Sequence, residues 1–143
     1  MSVDMNELLE LGRQALAKQP FSVLLQAEIV RYQGGVAELK IPITEQIKQQ
    51  YGFVHGGVVS YLADNALTYA GACTLGWSVV TSELKINYLR PALGTSLVAR
   101  ASAVHSGKTQ AVCRCDVFAV GEKGEVLCAA AQGTIVRMSR PAE

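Results

Sequence analysis

The chain has 143 residues, a formal net charge of +1 and hydrophobic residues at 50% of its positions. This length is typical of one domain, and the composition supplies enough apolar side chains for one core. The balanced charge gives no indication of a nucleic-acid partner, because binding to phosphates requires a concentrated positive surface.

The segment before residue 20 carries acidic residues and no continuous apolar run, so we expect no secretory signal peptide. Four cysteines lie apart in apolar segments and form no C-x-x-C pair: Cys73, Cys113, Cys115 and Cys128. This usage is typical of reduced thiols, and we expect a cytoplasmic protein without a membrane segment. The two histidines, His55 and His105, lack the spacing of zinc ligands, so we expect no metal site.

The first part of the chain predicts a helix and then a two-stranded hairpin. Leucine and alanine at helical spacing predict an amphipathic helix over residues 5–18, which Pro20 ends. Alternating apolar residues predict strands over 21–31 and 36–43, and Gly34-Gly35 between them is a hairpin signal.

After a polar stretch that predicts a short helical turn over 44–50, residues 58–75 predict the longest helix of the chain. This segment has no proline and is apolar on almost every side, which is typical of a buried helix. One thin polar line runs along it at helical spacing: Ser60, Asp64, Thr68 and Gly71. A carboxylate inside a buried helix is costly unless it is paired or used, so Asp64 is either a structural acid or a catalytic one.

Four predicted strands joined by tight turns follow the long helix: 78–89, 96–105, 109–120 and 125–138. Consecutive strands with short connections predict an antiparallel sheet. In the first of these strands, alternation places Leu84, Ile86 and Tyr88 on one face and Thr81 on the other.

The predicted fold is α+β, with a curved antiparallel sheet of about five to six strands wrapped around one long central helix. A short helix precedes this body. The predicted organisation is an N-terminal helix at 1–19, a single domain at 20–138 and a tail at 139–143.

The sequence His55-Gly56-Gly57 stands where the long helix begins. Helix N-termini present unpaired N–H groups and partial positive charge, and glycines let a ligand approach the backbone closely. Together with an acid, such amides can serve acyl chemistry, because the acid activates water while an amide holds an oxyanion.

Asp64 follows Gly56 by eight residues, which is about 12 Å along a helix. Reacting groups must lie about 3 Å from the reacting atom, so one chain cannot easily bring both to one carbonyl. Two such helices running antiparallel across a two-fold axis can do so. We therefore expect a homodimer with sites between the subunits.

The segments 52–57 (Gly-Phe-Val-His-Gly-Gly) and 62–66 (Leu-Ala-Asp-Asn-Ala) resemble the hotdog-fold thioesterases, most of all the branch that includes the phenylacetate-degradation thioesterases. The resemblance runs from about residue 20 to 137 and includes Asn-Tyr-Leu-Arg-Pro at 87–91 and His-Ser-Gly-Lys at 105–108. It implies the hotdog fold and hydrolysis of an acyl thioester, usually an acyl-CoA.

The resemblance also implies roles for individual residues. Asp64 matches the family's aspartate, which acts as nucleophile or as general base on water. Gly56 or Gly57 matches the oxyanion amide, and Gly56, directly after the histidine, is the better match. His55 would orient the thioester, and Thr81 would position the water.

Other positions are expected to contact the substrate. A family asparagine is replaced here by Gln49, which is one methylene longer. Arg90 and Lys108 are expected to meet the CoA phosphates, although ordinary solvated charge is the alternative for both. The remaining expected contacts are Val58, Tyr61, His105 and Gly107.

The resemblance further implies a homotetramer built as a dimer of dimers, with CoA as part of the substrate and no other cofactor. Two other functions remain open from the sequence. One is a hydratase or dehydratase of the same fold, in which His55 pairs with Asp64. The other is a non-catalytic protein that binds acyl-CoA, since a fold alone does not fix a function.

Overall fold

The computed structural model describes residues 4–139, which form one six-stranded antiparallel sheet and three α-helices. The elements in chain order are α1 (Met5–Ala17), α2 (Pro20–Leu24), β1 (Glu28–Gln33), β2 (Val36–Pro42), a 3₁₀ turn (Glu45–Ile47), α3 (Gly56–Leu75), β3 (Val79–Tyr88), β4 (Ser96–Ser106), β5 (Gln110–Gly121) and β6 (Gly124–Arg137). The strand order is β1-β2-β4-β5-β6-β3, so β1 and β3 are the edge strands.

The predicted fold class is confirmed. Helix α3 contacts all six strands, and its inward side chains are fully buried, as at Leu62, Ala66 and Leu67. Small residues let the helix lie close to the sheet. At Gly71 a Cβ would come within 2.7 Å of the Ile135 Cβ, so the fourth position of the polar line is a packing glycine.

The predicted strand over 21–31 is wrong in its first part. Residues 20–24 form the short helix α2 instead. Pro20 stands at its first position, which suits the fixed φ angle of proline. Gln26, with φ of 58°, then reverses the chain, and the strand begins at Glu28. The α1–α2 corner that results lies against α3 and brings Gln19 and Ser22 to the side of Asn65.

Helix α1 packs on the body of the fold. Leu16 is buried, and the Tyr69 hydroxyl donates to the Gly12 carbonyl at 2.9 Å. The predicted divisions at residues 20 and 139 stay predictions, and most of the predicted tail lies outside the described residues. Among residues 4–139, none of the helices combines the length with the apolar character that a membrane span requires.

Strand β3 departs from the predicted alternation. The pairing of β3 with β6 shifts register between Thr81 and Glu83, so Ser82 is an extra residue in the ladder. Such a bulge turns the residues before it onto the other face. Thr81 therefore faces α3 together with Leu84 and Ile86, and its predicted position on the opposite face is wrong.

Candidate active site

The N-terminus of α3 offers one free amide. The helix begins at Gly56, two residues earlier than predicted, because His55 caps it. The His55 Nδ1 accepts from the Gly57 N–H at 2.8 Å, and the His55 carbonyl accepts from the Val58 N–H at 2.9 Å. Among residues 4–139 the Gly56 N–H has no acceptor. Gly56 is therefore the candidate oxyanion donor, and the Gly57 N–H is already used.

His55 itself is exposed at the start of the helix. Because Nδ1 acts as an acceptor, a neutral imidazole carries its proton on Nε2, which points a donor away from the cap. The contacts of His55 are structural, because its side chain caps the helix and thereby stabilises the turn that contains the free Gly56 amide.

Asp64 lies in the middle of α3, half-buried, with one oxygen fixed and the other open. The Thr81 hydroxyl donates to Asp64 Oδ1 at 2.5 Å. Thr68 donates to the Asp64 main-chain oxygen at 2.8 Å and lies 3.1 Å from the Thr81 Oγ1. Within the described residues no donor reaches Oδ2. The carboxylate is thus oriented by Thr81 and keeps one oxygen for chemistry.

The two halves of this site are separated within one chain. The carboxylate of Asp64 stands more than two turns along α3 from the Gly56 amide, about 12 Å for eight residues. A single helix holds both, and no other element of the described chain brings them together.

Sequence reasoning missed Tyr88, which reaches the N-terminus of α3 from the end of β3. The Tyr88 hydroxyl donates to the Gly56 carbonyl at 3.1 Å and lies 2.6 Å from the Ser60 Oγ. The shared face of Tyr88 with Leu84 and Ile86 indicated that it points toward the helix, and the polar line already contained Ser60. The contact with Gly56 needed the structure, because it joins positions 32 residues apart.

A polar network beside Asp64 was also missed. The Tyr61 hydroxyl donates to Ser22 Oγ at 2.6 Å, and Ser22 donates to Gln19 Oε1 at 2.6 Å. Asn65 Nδ2 lies 3.1 Å from the same Gln19 oxygen and 3.2 Å from the Tyr61 oxygen. The Asn65 Oδ1 and the Gln19 Nε2 remain without partners in the part of the chain that the structure describes.

This network borders two neighbouring cavities, which we call the lateral groove. One, of about 430 Å³, lies beside Asp64. The second, of about 160 Å³, lies between α1, α3 and the start of β3 and has Trp77 in its wall. Three side chains line both cavities: Gln19, Asn65 and Thr68.

A separate cleft of about 270 Å³ lies at the Gly56 end of α3. Gly56, Val59 and Tyr88 line it together with Phe53 and Arg90. The Arg90 guanidinium donates to the Leu127 carbonyl at 3.0 Å and is otherwise exposed. Arg90 thus lines the same cleft as Gly56, and its predicted role in binding the CoA phosphates stays a prediction.

The other expected contact residues are placed differently. The Gln49 Oε1 accepts from the Tyr51 N–H at 2.6 Å, so this side chain closes its own turn. His105, Gly107 and Lys108 lie at the far end of α3, where Ser106 contacts Thr74 at 2.5 Å. This set therefore lies about 27 Å from Gly56 of the same chain, because Thr74 follows Gly56 by eighteen residues along the helix. Tyr61 reaches the lateral groove, and Val58 lies half-buried next to the glycines.

The cysteines are unsuited to act as nucleophiles. Burial raises the pKa of Cys113 to about 11 and that of Cys115 to about 12. Burial also raises the pKa of Cys73 and of Cys128. Because the thiolate is the reactive form, these thiols do not compete with Asp64 for a catalytic role.

The comparison with protein families shows a match to the model of the thioesterase superfamily over residues 51–126, which include the long helix and both predicted halves of the site. The chain is 30% identical over 103 residues to the 1,4-dihydroxy-2-naphthoyl-CoA hydrolase of Listeria monocytogenes, covering 71% of this chain and 82% of that protein. It is 34% identical over 89 residues to the acyl-coenzyme A thioesterase PaaI of Escherichia coli, covering 62% of this chain and 63% of that protein.

A solved structure supports the same likeness. A thioesterase family protein from Silicibacter pomeroyi superposes with a TM-score of 0.84 at 32% identity, covering 93% of this chain and 97% of that chain.

Proposed function

The chain belongs to the thioesterase superfamily and is a thioester hydrolase, and we propose that it cleaves an acyl-CoA to the free acid and CoA at a site shared by two copies of the chain. One observation carries this proposal. The oriented Asp64 carboxylate and the free Gly56 amide stand on one helix, about 12 Å apart, as the two separated halves of an acyl-transfer site.

A two-fold axis between two α3 helices completes the site. Running antiparallel, each helix places its Asp64 beside the Gly56 of the other, and the symmetric contact yields two identical sites. The edge strand β3 supports such an arrangement, because unpaired edges readily pair with another chain. Val80, 45% exposed on this edge, offers apolar surface for the contact. The expected homotetramer stays a prediction.

In the proposed reaction the thioester carbonyl oxygen accepts a hydrogen bond from the Gly56 N–H of one subunit. Asp64 of the other subunit takes a proton from water through Oδ2, and the resulting hydroxide adds to the carbonyl carbon. The negative charge that develops on the carbonyl oxygen is stabilised by the amide and by the partial positive charge of the helix start. Collapse of this intermediate breaks the C–S bond, and CoA leaves as a thiolate that is then protonated.

A second route uses the same atoms. Asp64 Oδ2 attacks the carbonyl carbon directly, CoA leaves, and water hydrolyses the anhydride that has formed. When water adds to the Asp64 carbon of the anhydride, a single turnover in ¹⁸O-water leaves the label in Asp64, whereas the general-base route places the label in the product acid.

We further propose that the acyl group lies in the lateral groove and carries a hydroxyl group. The free Gln19 Nε2 can donate to such a hydroxyl, and the free Asn65 Oδ1 can accept from it. The smaller cavity has a volume of about 160 Å³. An engineered apolar protein cavity of ~150 Å³ binds benzene, so this cavity has room for one aromatic ring. A relative named for a dihydroxynaphthoyl substrate supports the hydroxylated aromatic class.

The CoA moiety would extend from the shared site toward the turn that holds His105, Gly107 and Lys108. That turn stands beside Thr74, ten residues and about 15 Å along α3 from Asp64 of the same chain. Lys108 and Arg90 then approach the substrate from the two subunits, and both can meet phosphate groups.

The test is release of free thiol from a panel of CoA esters: benzoyl, 4-hydroxybenzoyl, dihydroxynaphthoyl and unbranched acyl-CoA. We expect hydrolysis, with kcat/KM for 4-hydroxybenzoyl-CoA about tenfold above that for benzoyl-CoA, as two neutral hydrogen bonds of modest strength provide. In Asn65→Leu, which removes one of the two, this ratio should fall to about threefold, while benzoyl-CoA is still hydrolysed. An unchanged ratio in Asn65→Leu would contradict the proposed binding of a hydroxyl group by Asn65. It would leave the proposed thioesterase activity unaffected.

The alternatives correspond to other outcomes of the same panel. Binding of acyl-CoA without thiol release from any ester would point to a non-catalytic binding protein. Addition or loss of water across a double bond, without thiol release, would point to a hydratase. The described contacts disfavour the latter, because the His55 Nδ1 already accepts a hydrogen bond from the Gly57 N–H.

A further inference from the structure

The Gly56-Gly57 peptide unit is held on both sides by side chains. Its N–H donates to His55 Nδ1 at 2.8 Å, and its carbonyl accepts from the Tyr88 hydroxyl at 3.1 Å. Two consecutive glycines are the most flexible dipeptide that a chain can offer, and fixing them has a large entropic cost. The Gly56 N–H lies in the preceding peptide unit, so contacts that hold the Gly56-Gly57 unit act on this N–H by restricting the φ and ψ angles of Gly56.

The Tyr88 hydroxyl belongs to a short directed chain of hydrogen bonds. Because its single proton goes to the Gly56 carbonyl, the 2.6 Å contact with Ser60 is made by the Ser60 hydroxyl donating to the Tyr88 oxygen. Each bond in such a chain polarises and strengthens the next. Ser60 lies one helical turn after Gly56, so the chain ties β3 to the first turn of α3.

The Tyr88 ring also lies on Gly56. A Cβ built on Gly56 would stand 3.3 Å from Tyr88 Cζ and 3.4 Å from Cε1, so the ring covers the α-carbon of the residue with the free amide. Tyr88 is half-exposed at the end of an edge strand, where burial alone does not explain this placement.

We propose that Tyr88 is a positioning residue that fixes the Gly56 amide in the orientation required to bind the oxyanion, with Ser60 acting through it. The proposal rests on the proposed function. An oxyanion donor is effective only when it is oriented before the charge develops, so a looser Gly56 lowers kcat and leaves the binding of the ground state unchanged. The strand β3 then holds both halves of the site: Thr81 near its start orients Asp64, and Tyr88 at its end orients Gly56.

The first test is steady-state hydrolysis by Tyr88→Phe, Ser60→Ala and the double variant. We expect Tyr88→Phe to lower kcat about five- to tenfold, the effect of one lost hydrogen bond, with KM within twofold of wild type. The double variant should be no slower than Tyr88→Phe, since Ser60 acts only through Tyr88. Tyr51→Phe is the matched control, because Tyr51 is 78% exposed and its hydroxyl has no bond among residues 4–139.

The second test needs no turnover. In NMR spectra of the wild type we expect sharp Gly56 and Gly57 amide signals, and in Tyr88→Phe exchange broadening of both on the μs–ms timescale. If no ester is hydrolysed by the wild type, the proposed function fails while this measurement still decides the role of Tyr88. Unchanged amide signals together with unchanged kcat would overturn the proposal, as would a raised KM at wild-type kcat, which would make Tyr88 a CoA contact.

Discussion

Replacement of Asp64 with asparagine is expected to lower kcat by a factor of about 10²–10⁴, the usual contribution of a positioned acid or base. Asparagine keeps the volume of the side chain and can still accept from the Thr81 hydroxyl through its own Oδ1. It replaces the open Oδ2 with an NH₂ group, which neither takes a proton from water nor attacks a carbonyl. The loss therefore isolates the chemistry of that one oxygen, and KM should change little.

Asp116→Asn is the matched control, because Asp116 is another partly buried carboxylate but lies on β5 with its side chain on the face away from α3. It should retain wild-type kcat. Residual hydrolysis by Asp64→Asn within tenfold of wild type would show that Asp64 is a structural acid and that another group activates the water.

Replacement of Gly56 with proline is expected to lower kcat by about 10²–10³, the usual effect of losing one oxyanion donor. Proline removes the backbone N–H itself, and it is well tolerated at the first position of a helix, where Gly56 stands. The residue before it, His55, already has φ of −59° and ψ of 134°, which suits a following proline. The helix start should therefore survive without its free amide.

Gly56→Ala separates the lost amide from the added bulk. Alanine introduces the same Cβ close to the Tyr88 ring but keeps the N–H, so its kcat should stay well above that of the proline variant. Equal losses in the two variants would attribute the effect to the clash with Tyr88 and would contradict the assignment of the oxyanion amide.

Much of the fold follows from local patterns. The apolar pattern of 58–75 and the alternating pattern after it predict one long helix and an antiparallel sheet. Side chains that are buried must recur at the spacing of the element that carries them, which differs between a helix and a strand. The α2 helix was missed because Val23 and Leu25 resemble a strand pattern, whereas Val23 is 57% exposed and Pro20 favours a helix start.

The candidate site was predictable in its residues and not in its contacts. Asp64 stands out as an acid in an apolar helix, and Gly56 as a glycine at a helix start. The bulge at Ser82 turns Thr81 toward Asp64. The alternation of apolar and polar residues in this strand does not predict the bulge. The contact of Tyr88 with Gly56 depends on how β3 returns along α3, which is a long-range property of the sheet.

The most direct test of the shared site is complementation between Asp64→Asn and Gly56→Pro chains. The two variant proteins are unfolded together, refolded as a mixture, and assayed for thiol release beside each parent treated alone. In random dimers half are mixed, and each mixed dimer has one site with both an intact Asp64 and an intact Gly56, so about a quarter of wild-type activity should return. Activity of the mixture no higher than that of the parents, with mixed dimers verified by mass spectrometry, would place the whole site within one chain and contradict this account.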